Sequence, residues 1–182
     1  MNVIPTEIPE ILLIEPQVFG DERGFFMESF NQRNFSEKTG INLEFVQDNY
    51  AHSYQGVLRG LHYQIQQPQG RLLKVVVGEI FDVAVDIRKS SPYFGKWVGY
   101  FLSAENKRQI WIPPGFAHGL LAVSETADVL YKATDYYAPE YKRSILWNDP
   151  DLGISWPLDG IEVKLSKKDE AGKTLKDVDL FE

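Results

Sequence analysis

The strongest constraint on the fold is a succession of short apolar or alternating runs, each followed by turn residues. Runs of this length and pattern are typical of β-strands rather than helices. Gly78 is predicted to interrupt the longest run with a turn or bulge. Eight or more strands at regular spacing predict an all-β double-sheet jelly roll or barrel, with a ligand site at its mouth. The predicted strands cover residues 25–30, 44–50, 56–64, 71–88, 96–103, 108–113, 118–124 and 128–134.

Helix is scarce in this sequence. One short helix is predicted near residues 31–39, where Gly40 ends it. Another is predicted to begin at Ser166, with Asp169 three residues later as in a variant of the capping box. A length of 182 residues without a repeat or linker predicts one domain, residues 1–182.

Composition excludes several classes of protein. The chain has no cysteine, which rules out disulfides, zinc-finger sites and thiol nucleophiles. A net charge of −7 argues against general nucleic-acid binding, which needs a basic face. The first residues lack a basic region and a long apolar run, so we expect no signal peptide or membrane span and predict a cytoplasmic protein. Any anionic ligand must then be bound by a local basic cluster.

Two of the three histidines lie beside glycine in strand-like segments. His62 in GVLRGLHYQ and His118 in IPPGFAHG resemble, in degraded form, the paired motifs of the cupin family. Metal-binding cupins add a second histidine and a glutamate, but Gln64 takes the histidine position and Pro68 and Gln69 lie where the glutamate should be. A stable divalent site needs three or four good ligands. We therefore expect no metal.

Without a metal, His62 is either a structural histidine inside the barrel or a general base. Histidine with an ordinary pKa of about 6.5 is mostly neutral at cytoplasmic pH and suits abstraction of a weakly acidic proton. Arg59 and His62 have opposite parity in a regular strand, so only a bulge, predicted at Gly60, would bring both to one face. Asp169 is the candidate carboxylate to orient His62, and a helix-cap role is its alternative.

An ordered series of segments covering nearly the whole chain resembles the dTDP-4-dehydrorhamnose 3,5-epimerase family. It includes VFGDERGFFMESF, FVQDNYAHS, VLRGLHYQ, LSAENKRQIWIPPGFAHG, LYKATDYYAPE and LSKKD. The resemblance implies a cupin-type jelly roll, a homodimer, and no metal or organic cofactor. It also implies inversion of C3 and C5 of dTDP-4-dehydro-6-deoxy-D-glucose, giving dTDP-4-dehydro-L-rhamnose for dTDP-L-rhamnose biosynthesis.

The same resemblance implies roles for individual residues. His62 matches the base, Asp169 its partner and Tyr131 the acid on the opposite face. Either Arg71 or Lys74 would stabilise the enolate, because the family's lysine and a nearby arginine appear exchanged here, and these cations are not equivalent. The positions that match contacts to the dTDP-sugar are Arg23, Glu28, Gln47, Asp48, Asn49, Arg59, His118, Tyr137, which would stack on thymine, and Lys168. Lys142 departs from the pattern, since some relatives carry an acidic contact there.

Three alternatives stay open on the sequence. A related enzyme would invert only C3 or only C5 of a dTDP-4-keto-deoxysugar. A metal-dependent cupin oxygenase would need further ligands. A non-catalytic sugar-binding jelly roll would have no need for His62, Tyr131 and Asp169 together, so the relative placement of His62 and Tyr131 discriminates the last possibility.

Overall fold

A computed structural model describes residues 1–182 of the chain. It contains thirteen β-strands, two α-helices and one 3-10 helix, Pro139–Tyr141. The strands are β1 (Asn2–Pro5), β2 (Leu12–Glu15), β3 (Val18–Asp21), β4 (Gly24–Met27), β5 (Gln47–Tyr54), β6 (Leu58–Gln64), β7 (Arg71–Val77), β8 (Glu79–Asp86), β9 (Trp97–Ser103), β10 (Gln109–Ile112), β11 (Phe116–Ala122), β12 (Thr126–Ala133) and β13 (Lys142–Ser144). The helices are α1 (Gln32–Thr39) and α2 (Lys167–Glu170).

Two sheets form the body of the molecule. The six-stranded sheet has the order β1-β2-β10-β7-β12-β5, and the five-stranded sheet has the order β13-β6-β11-β8-β9. Strands β3 and β4 form a separate hairpin. This arrangement confirms the predicted double-sheet jelly roll with few helices. Each predicted run contains a strand, although residues 25–30 contribute only β4, which ends at Met27.

The longest run, residues 71–88, passes from one sheet to the other. Strand β7 lies in the six-stranded sheet and β8 in the five-stranded sheet, and Gly78 makes the turn between them with φ 71°. A Cβ added at Gly78 would lie 2.0 Å from the carbonyl oxygen of Thr126. The predicted interruption at Gly78 is therefore confirmed, and the turn requires glycine.

The main core lies between the inner faces of the two sheets. Leu73, Ile110 and Val129 of the larger sheet pack there with Ala84 and Leu120 of the smaller one. A second cluster covers the outer face of the five-stranded sheet with side chains from the C-terminal part of the chain. Strand β8 is thus covered on both faces, and every residue of it after Glu79 is buried, including Asp82 and Asp86.

Both helices lie where the sequence predicted them. The side chain of Asn31 caps α1 by accepting from the backbone N–H of Asn34, and Gly40 ends it in the left-handed conformation. Ser166 caps α2 by accepting from the backbone N–H of Asp169 at 3.1 Å. No helix has the length and apolar character needed to cross a membrane.

Candidate functional site

A cavity of about 490 Å³ opens between the two sheets. Four cations line it, namely Arg59, Arg71, Lys142 and Lys164, against the single carboxylate of Asp169. This is the local basic cluster that an anionic ligand requires in a chain of net charge −7. Its other polar lining residues are His62, Gln64, Gln69, His118, Tyr63, Tyr131, Tyr137 and Ser166.

The strand that carries His62 is bulged. Arg59 pairs with Leu120 of β11 and His62 pairs with His118, so three steps along β6 match two along β11. The extra residue brings Arg59 and His62 to the same face, and both line the cavity. Gly60 adopts φ 130° in this bulge, and an added Cβ would lie 2.6 Å from the Cα of Gly119. The predicted bulge is confirmed.

Asp169 holds the ring of His62. Its Oδ1 lies 2.5 Å from Nε2 of His62, and its Oδ2 accepts from the backbone N–H of Gly60 at 3.3 Å. The carboxylate of Asp169 therefore contacts His62 and the bulge of β6, and it does not serve as the capping-box side chain of α2. With Nε2–H donated to Asp169, Nδ1 of His62 keeps the free lone pair that a base requires.

Burial and charge act on this pair in opposite directions. Burial lowers the pKa of His62 below its ordinary value, although the hydrogen bond and the charge of Asp169 raise it, and the cations Lys142 and Arg71 lower it further. Burial raises the pKa of Asp169, but its contacts with His62 and Gly60 and the charge of Lys142 outweigh burial, so the net shift is downward. At neutral pH the pair is a neutral imidazole beside a carboxylate.

Arg71 is a half-buried cation on the inner face of β7. Its Nη1 donates to Nδ1 of His118 at 3.2 Å, and its Nη2 donates to Oε1 of Gln69 at 3.4 Å. The guanidinium carbon lies 5.9 Å from the centre of the Tyr131 ring. Burial lowers the pKa of Arg71, while the neighbouring Tyr131 and Asp82 raise it. The buried Nε of Arg71 has no protein partner.

His118 forms a second histidine–aspartate pair. Its Nε2 lies 2.7 Å from Oδ2 of Asp82, a fully buried carboxylate on β8. With Nε2–H donated to Asp82, Nδ1 is the acceptor for Arg71. Both ring nitrogens of His118 are thus engaged by protein groups, and the residue orients Arg71.

Tyr131 reaches the cavity from the opposite sheet. It lies on β12, paired with Leu73 of β7 and Asn49 of β5, and it lines the cavity together with His62 of β6. His62 and Tyr131 therefore approach the same space from different sheets. This is the placement that a base on one face of a substrate and an acid on the other require.

The loop that carries Tyr137 is fastened at three points. Nε2 of Gln64 donates to the carbonyl of Tyr136 at 3.2 Å, and its Oε1 accepts from the N–H of Ala138 at 2.8 Å. Oε1 of Gln47 accepts from the N–H of Tyr137 at 2.9 Å. The exposed ring of Tyr137 stands at the cavity wall. Gln64, which replaces a cupin metal ligand, thus positions this loop.

Two expected contacts lie outside the cavity in this chain. Arg23 lies at the tip of the β3–β4 hairpin, exposed and paired with Asp21. The carboxylate of Glu28 accepts from the side-chain amides of Asn31 and Asn34 at 3.2 and 2.8 Å.

Three further expected contacts lie nearer to the site without lining it. Asp48 faces outward on β5 and pairs with Lys132 at 2.9 Å. Lys74 lies on the opposite face of β7 from Arg71, because an odd number of positions separates them. Lys168 lies on α2, next to Asp169. The structure brings Arg71, and not Lys74, to the His62 side of the sheet.

Some lining or supporting residues were not assigned a role from the sequence. They are Gln69, Lys142 and Lys164 in the lining and Asp82 behind His118. Gln69 was noted only as lying where a cupin glutamate should be, and Lys142 only as a departure from the family pattern. Lys164 and Asp82 have the sequence of ordinary loop and strand residues, since only the register between strands shows which side chains meet.

The donor atoms do not form a metal centre. No group of three or more His, Cys, Asp or Glu side chains is arranged to hold a metal ion. His62 and His118 instead each pair with one aspartate.

Comparisons with known proteins relate the whole chain to one group of enzymes. A family model described as dTDP-4-dehydrorhamnose 3,5-epimerase matches residues 5–177. The dTDP-4-dehydrorhamnose 3,5-epimerase of Pseudomonas aeruginosa is 60% identical over 181 residues, which are 100% of this chain and 99% of that protein.

Two solved structures share the fold. The dTDP-6-deoxy-D-glucose-3,5-epimerase of Legionella pneumophila, in complex with dTDP-4-keto-L-rhamnose, is 58% identical with a TM-score of 0.95, covering 98% of this chain and 94% of that one. A 3'-monoepimerase from Streptomyces bikiniensis, in complex with dTDP-quinovose, is 36% identical with a TM-score of 0.89, covering 95% of this chain and 87% of that one.

Proposed function

The chain belongs to the dTDP-4-dehydrorhamnose 3,5-epimerase family, and on this basis we propose how its own residues carry out the reaction. It is an isomerase that converts dTDP-4-dehydro-6-deoxy-D-glucose to dTDP-4-dehydro-L-rhamnose by inverting C3 and C5. The observation that carries the mechanism is the placement of His62 and Tyr131 on two different sheets around one cavity.

His62 is the base. The protons on C3 and C5 are acidic because the carbanion formed at either carbon is stabilised as an enolate of the 4-keto group. Nδ1 of His62 takes one of these protons, and Asp169 stabilises the imidazolium that forms through the 2.5 Å hydrogen bond to Nε2. Because burial lowers the pKa of His62, the free enzyme holds the base in its neutral form.

Tyr131 is the acid. After His62 has removed a proton from one face of the sugar, the phenol of Tyr131 donates a proton to the other face of the same carbon. The centre is inverted because removal and return occur on opposite faces. His62 then releases its proton to solvent and Tyr131 regains one from solvent, and a second cycle at the other carbon completes the double epimerisation.

Arg71 stabilises the enolate oxygen. Its guanidinium lies between Tyr131 and His118 on the inner face of the sheet, where its direction is set by His118 and Gln69. Preorganised cations and hydrogen-bond donors aimed at a developing negative charge usually make the largest single contribution to catalysis. We assign this role to Arg71 rather than Lys74, since Lys74 lies on the other face of β7.

The nucleotide half of the substrate binds at the mouth of the cavity. Arg59 contacts the diphosphate, and Lys168 and the β5 residues Gln47 and Asn49 complete the polar contacts. His118 acts through Arg71, whereas Asp48 faces away from the cavity toward Lys132. Tyr137 stacks on the thymine, a contact worth about 1–3 kcal/mol per base. Its fastened loop and exposed ring support this assignment.

The enzyme is a homodimer in this proposal. Phe19, Phe25 and Phe26 of the β3–β4 hairpin are 63%, 60% and 73% exposed, which is unusual for phenylalanine unless another surface covers it. A second copy that covers the hairpin would also bring Arg23 from the hairpin to the diphosphate of the partner. The cytoplasmic location expected from the sequence stays a prediction.

Solvent exchange tests the mechanism directly. The purified protein is incubated with dTDP-4-dehydro-6-deoxy-D-glucose in deuterated water, and deuterium at C3 and C5 is followed by NMR. We expect deuterium at both carbons with the native chain and at neither with His62→Asn. Binding of dTDP, measured by calorimetry, is the control that the variant keeps its cavity.

Each other outcome has a distinct meaning. Exchange at one carbon only would identify a mono-epimerase, an activity carried by a relative with the same fold. Exchange that persists in His62→Asn would remove His62 from the role of base. Absence of exchange in the native chain would contradict the epimerase function.

A further inference from the structure

Lys142 occupies a position next to the base that the proposed mechanism does not use. It lies on β13, where it pairs with Gln64 of β6, while Ser144 of the same strand pairs with His62. Directly paired residues of antiparallel strands project to the same face. The side chain of Lys142 therefore lies on the His62 side of the sheet, and it lines the cavity.

The ammonium group of Lys142 has no protein partner. None of the ion pairs of the structure includes it. By contrast, the guanidinium of Arg59 donates to the hydroxyl of Ser53 at 3.0 Å, and Arg71 donates to His118. Lys164 also lines the cavity without an ion pair, but it is exposed, so Lys142 is the half-buried lysine of the cavity whose donors remain available to a ligand.

The charges around Lys142 favour an added anion. Burial lowers its pKa, the charge of Asp169 raises it, and Lys168 and Arg71 lower it. Asp169 is the one nearby carboxylate, and its oxygens already accept from His62 and Gly60. Lys142 and Lys168 thus share a carboxylate whose oxygens are already engaged, and Arg71 has Asp82 as its counter-charge, so an anionic oxygen beside Lys142 would be stabilised.

We propose that Lys142 is a further substrate-binding residue of the site, whose ammonium group holds an anionic oxygen of the bound sugar nucleotide beside His62. The oxygen belongs to the diphosphate or to the enolate, which share the chemistry of a negatively charged oxygen acceptor. This assignment deepens the proposed epimerase function and rests on it.

A consequence for His62 follows from the same position. The charged groups facing its ring are Asp169 of α2, Lys142 of β13 and Arg71 of β7, and Tyr131 of β12 and His118 of β11 lie in the same cavity. Removal of the Lys142 charge raises the pKa of His62, since a nearby cation disfavours the imidazolium. Lys168, next to Asp169, keeps its charge in such a variant.

Three variants separate these effects. Lys142→Gln removes the charge and Lys142→Arg keeps it, while Lys164→Gln removes a different cation from the lining of the same cavity. For each we measure dTDP affinity by calorimetry, kcat and KM for the 4-keto sugar, and the titration of His62 by NMR. The chain has three histidines, so assignment with His62→Asn is simple.

We expect Lys142→Gln to raise the titration midpoint of His62. Lys142→Arg and Lys164→Gln should leave that midpoint near the native value. A roughly tenfold loss of dTDP affinity in Lys142→Gln identifies the diphosphate as the ligand of Lys142. A similar loss in kcat with unchanged dTDP affinity identifies the enolate. Lys142→Arg restores most of whichever loss occurs.

The proposal is overturned if Lys142→Gln changes neither dTDP affinity nor kcat, or if Lys164→Gln shifts His62 as much as Lys142→Gln does. Calorimetry and the titration need no turnover. A failure of the epimerase mechanism would instead appear in the exchange experiment with His62→Asn, so the two failures are distinguishable.

Discussion

His62 experiences two opposing influences on its affinity for protons. Burial, Lys142 and Arg71 lower its pKa, and Asp169 raises it. Because the net shift is downward, we expect kcat/KM to stay level near neutral pH and to fall only below the ordinary histidine value of about 6.5.

Asp169→Asn tests the orienting role at this position. An amide keeps the shape of the carboxylate but loses its charge, so we expect kcat to fall by about 10²–10⁴ with a smaller change in KM. The acid limb of kcat/KM should also move to lower pH, because Asp169 raises the pKa of His62. A pH profile with an unmoved limb and near-native kcat would contradict the assignment.

Arg71 and Lys74 provide a matched pair of cations on one strand. Since Arg71 faces the cavity and Lys74 faces away from it, we expect Arg71→Ala to lower kcat by about 10²–10³ and Lys74→Ala to have little effect. Steady-state kinetics with the 4-keto sugar measures both. An equal, mild loss in the two variants would mean that neither cation stabilises the enolate.

At the scale of elements, the bulge in β6 makes the site possible. If β6 were a regular strand without the bulge at Gly60, Arg59 and His62 would lie on opposite faces of the sheet. The backbone of Gly119 in β11 approaches Gly60 so closely that no side chain fits between the two strands.

Gly60→Ala is predicted to destabilise the protein strongly. The added Cβ meets backbone atoms of β11 and strains φ 130°, so we expect a loss of roughly 3 kcal/mol or more, or about 6–12 °C in Tm. Gly160→Ala is the control, since Gly160 has φ 84° with no atom near its Cβ and should cost about 1 kcal/mol. Thermal melts compare the two, and equal Tm shifts would show that the close approach at Gly60 is unimportant.

The sequence pattern predicted where the strands lie better than it predicted which strands pair with each other. Alternating and apolar runs showed where the longer strands lie, and Gly78 showed where the chain turns. The short strands β1, β2, β3 and β13 have three or four residues each, too few to show an alternation. Lys142 therefore could not be placed beside His62, because its strand was not predicted.

The site itself was predictable in part. Parity indicates that Arg71 and Lys74 face opposite ways, but only the packed sheets show which face is inside. The pair of Asp82 and His118 depends on the register of β8 against β11, which the sequence does not display. His62, Tyr131 and Asp169 were named through the family resemblance rather than through their local patterns.

At the scale of the whole molecule, the exposed hairpin and the position of Arg23 both raise the question whether each substrate site is built from one chain or from two. The cavity of one chain contains most of the proposed substrate contacts, whereas Arg23 lies on the β3–β4 hairpin beside exposed phenylalanine rings. If the protein is a homodimer that exchanges this hairpin, each site is built from two chains.

Mixed dimers test this arrangement. We expect Arg23→Ala and His62→Asn each to reduce activity as homodimers, His62→Asn by far the more. If Arg23 acts in the partner's site, a heterodimer of the two variants contains one site with native His62 and the native Arg23 of the other chain. Co-expression should then give more activity than either variant alone, at a dimer mass confirmed by light scattering. Activity no higher than that of Arg23→Ala, or a monomeric mass for the native protein, would contradict the shared site.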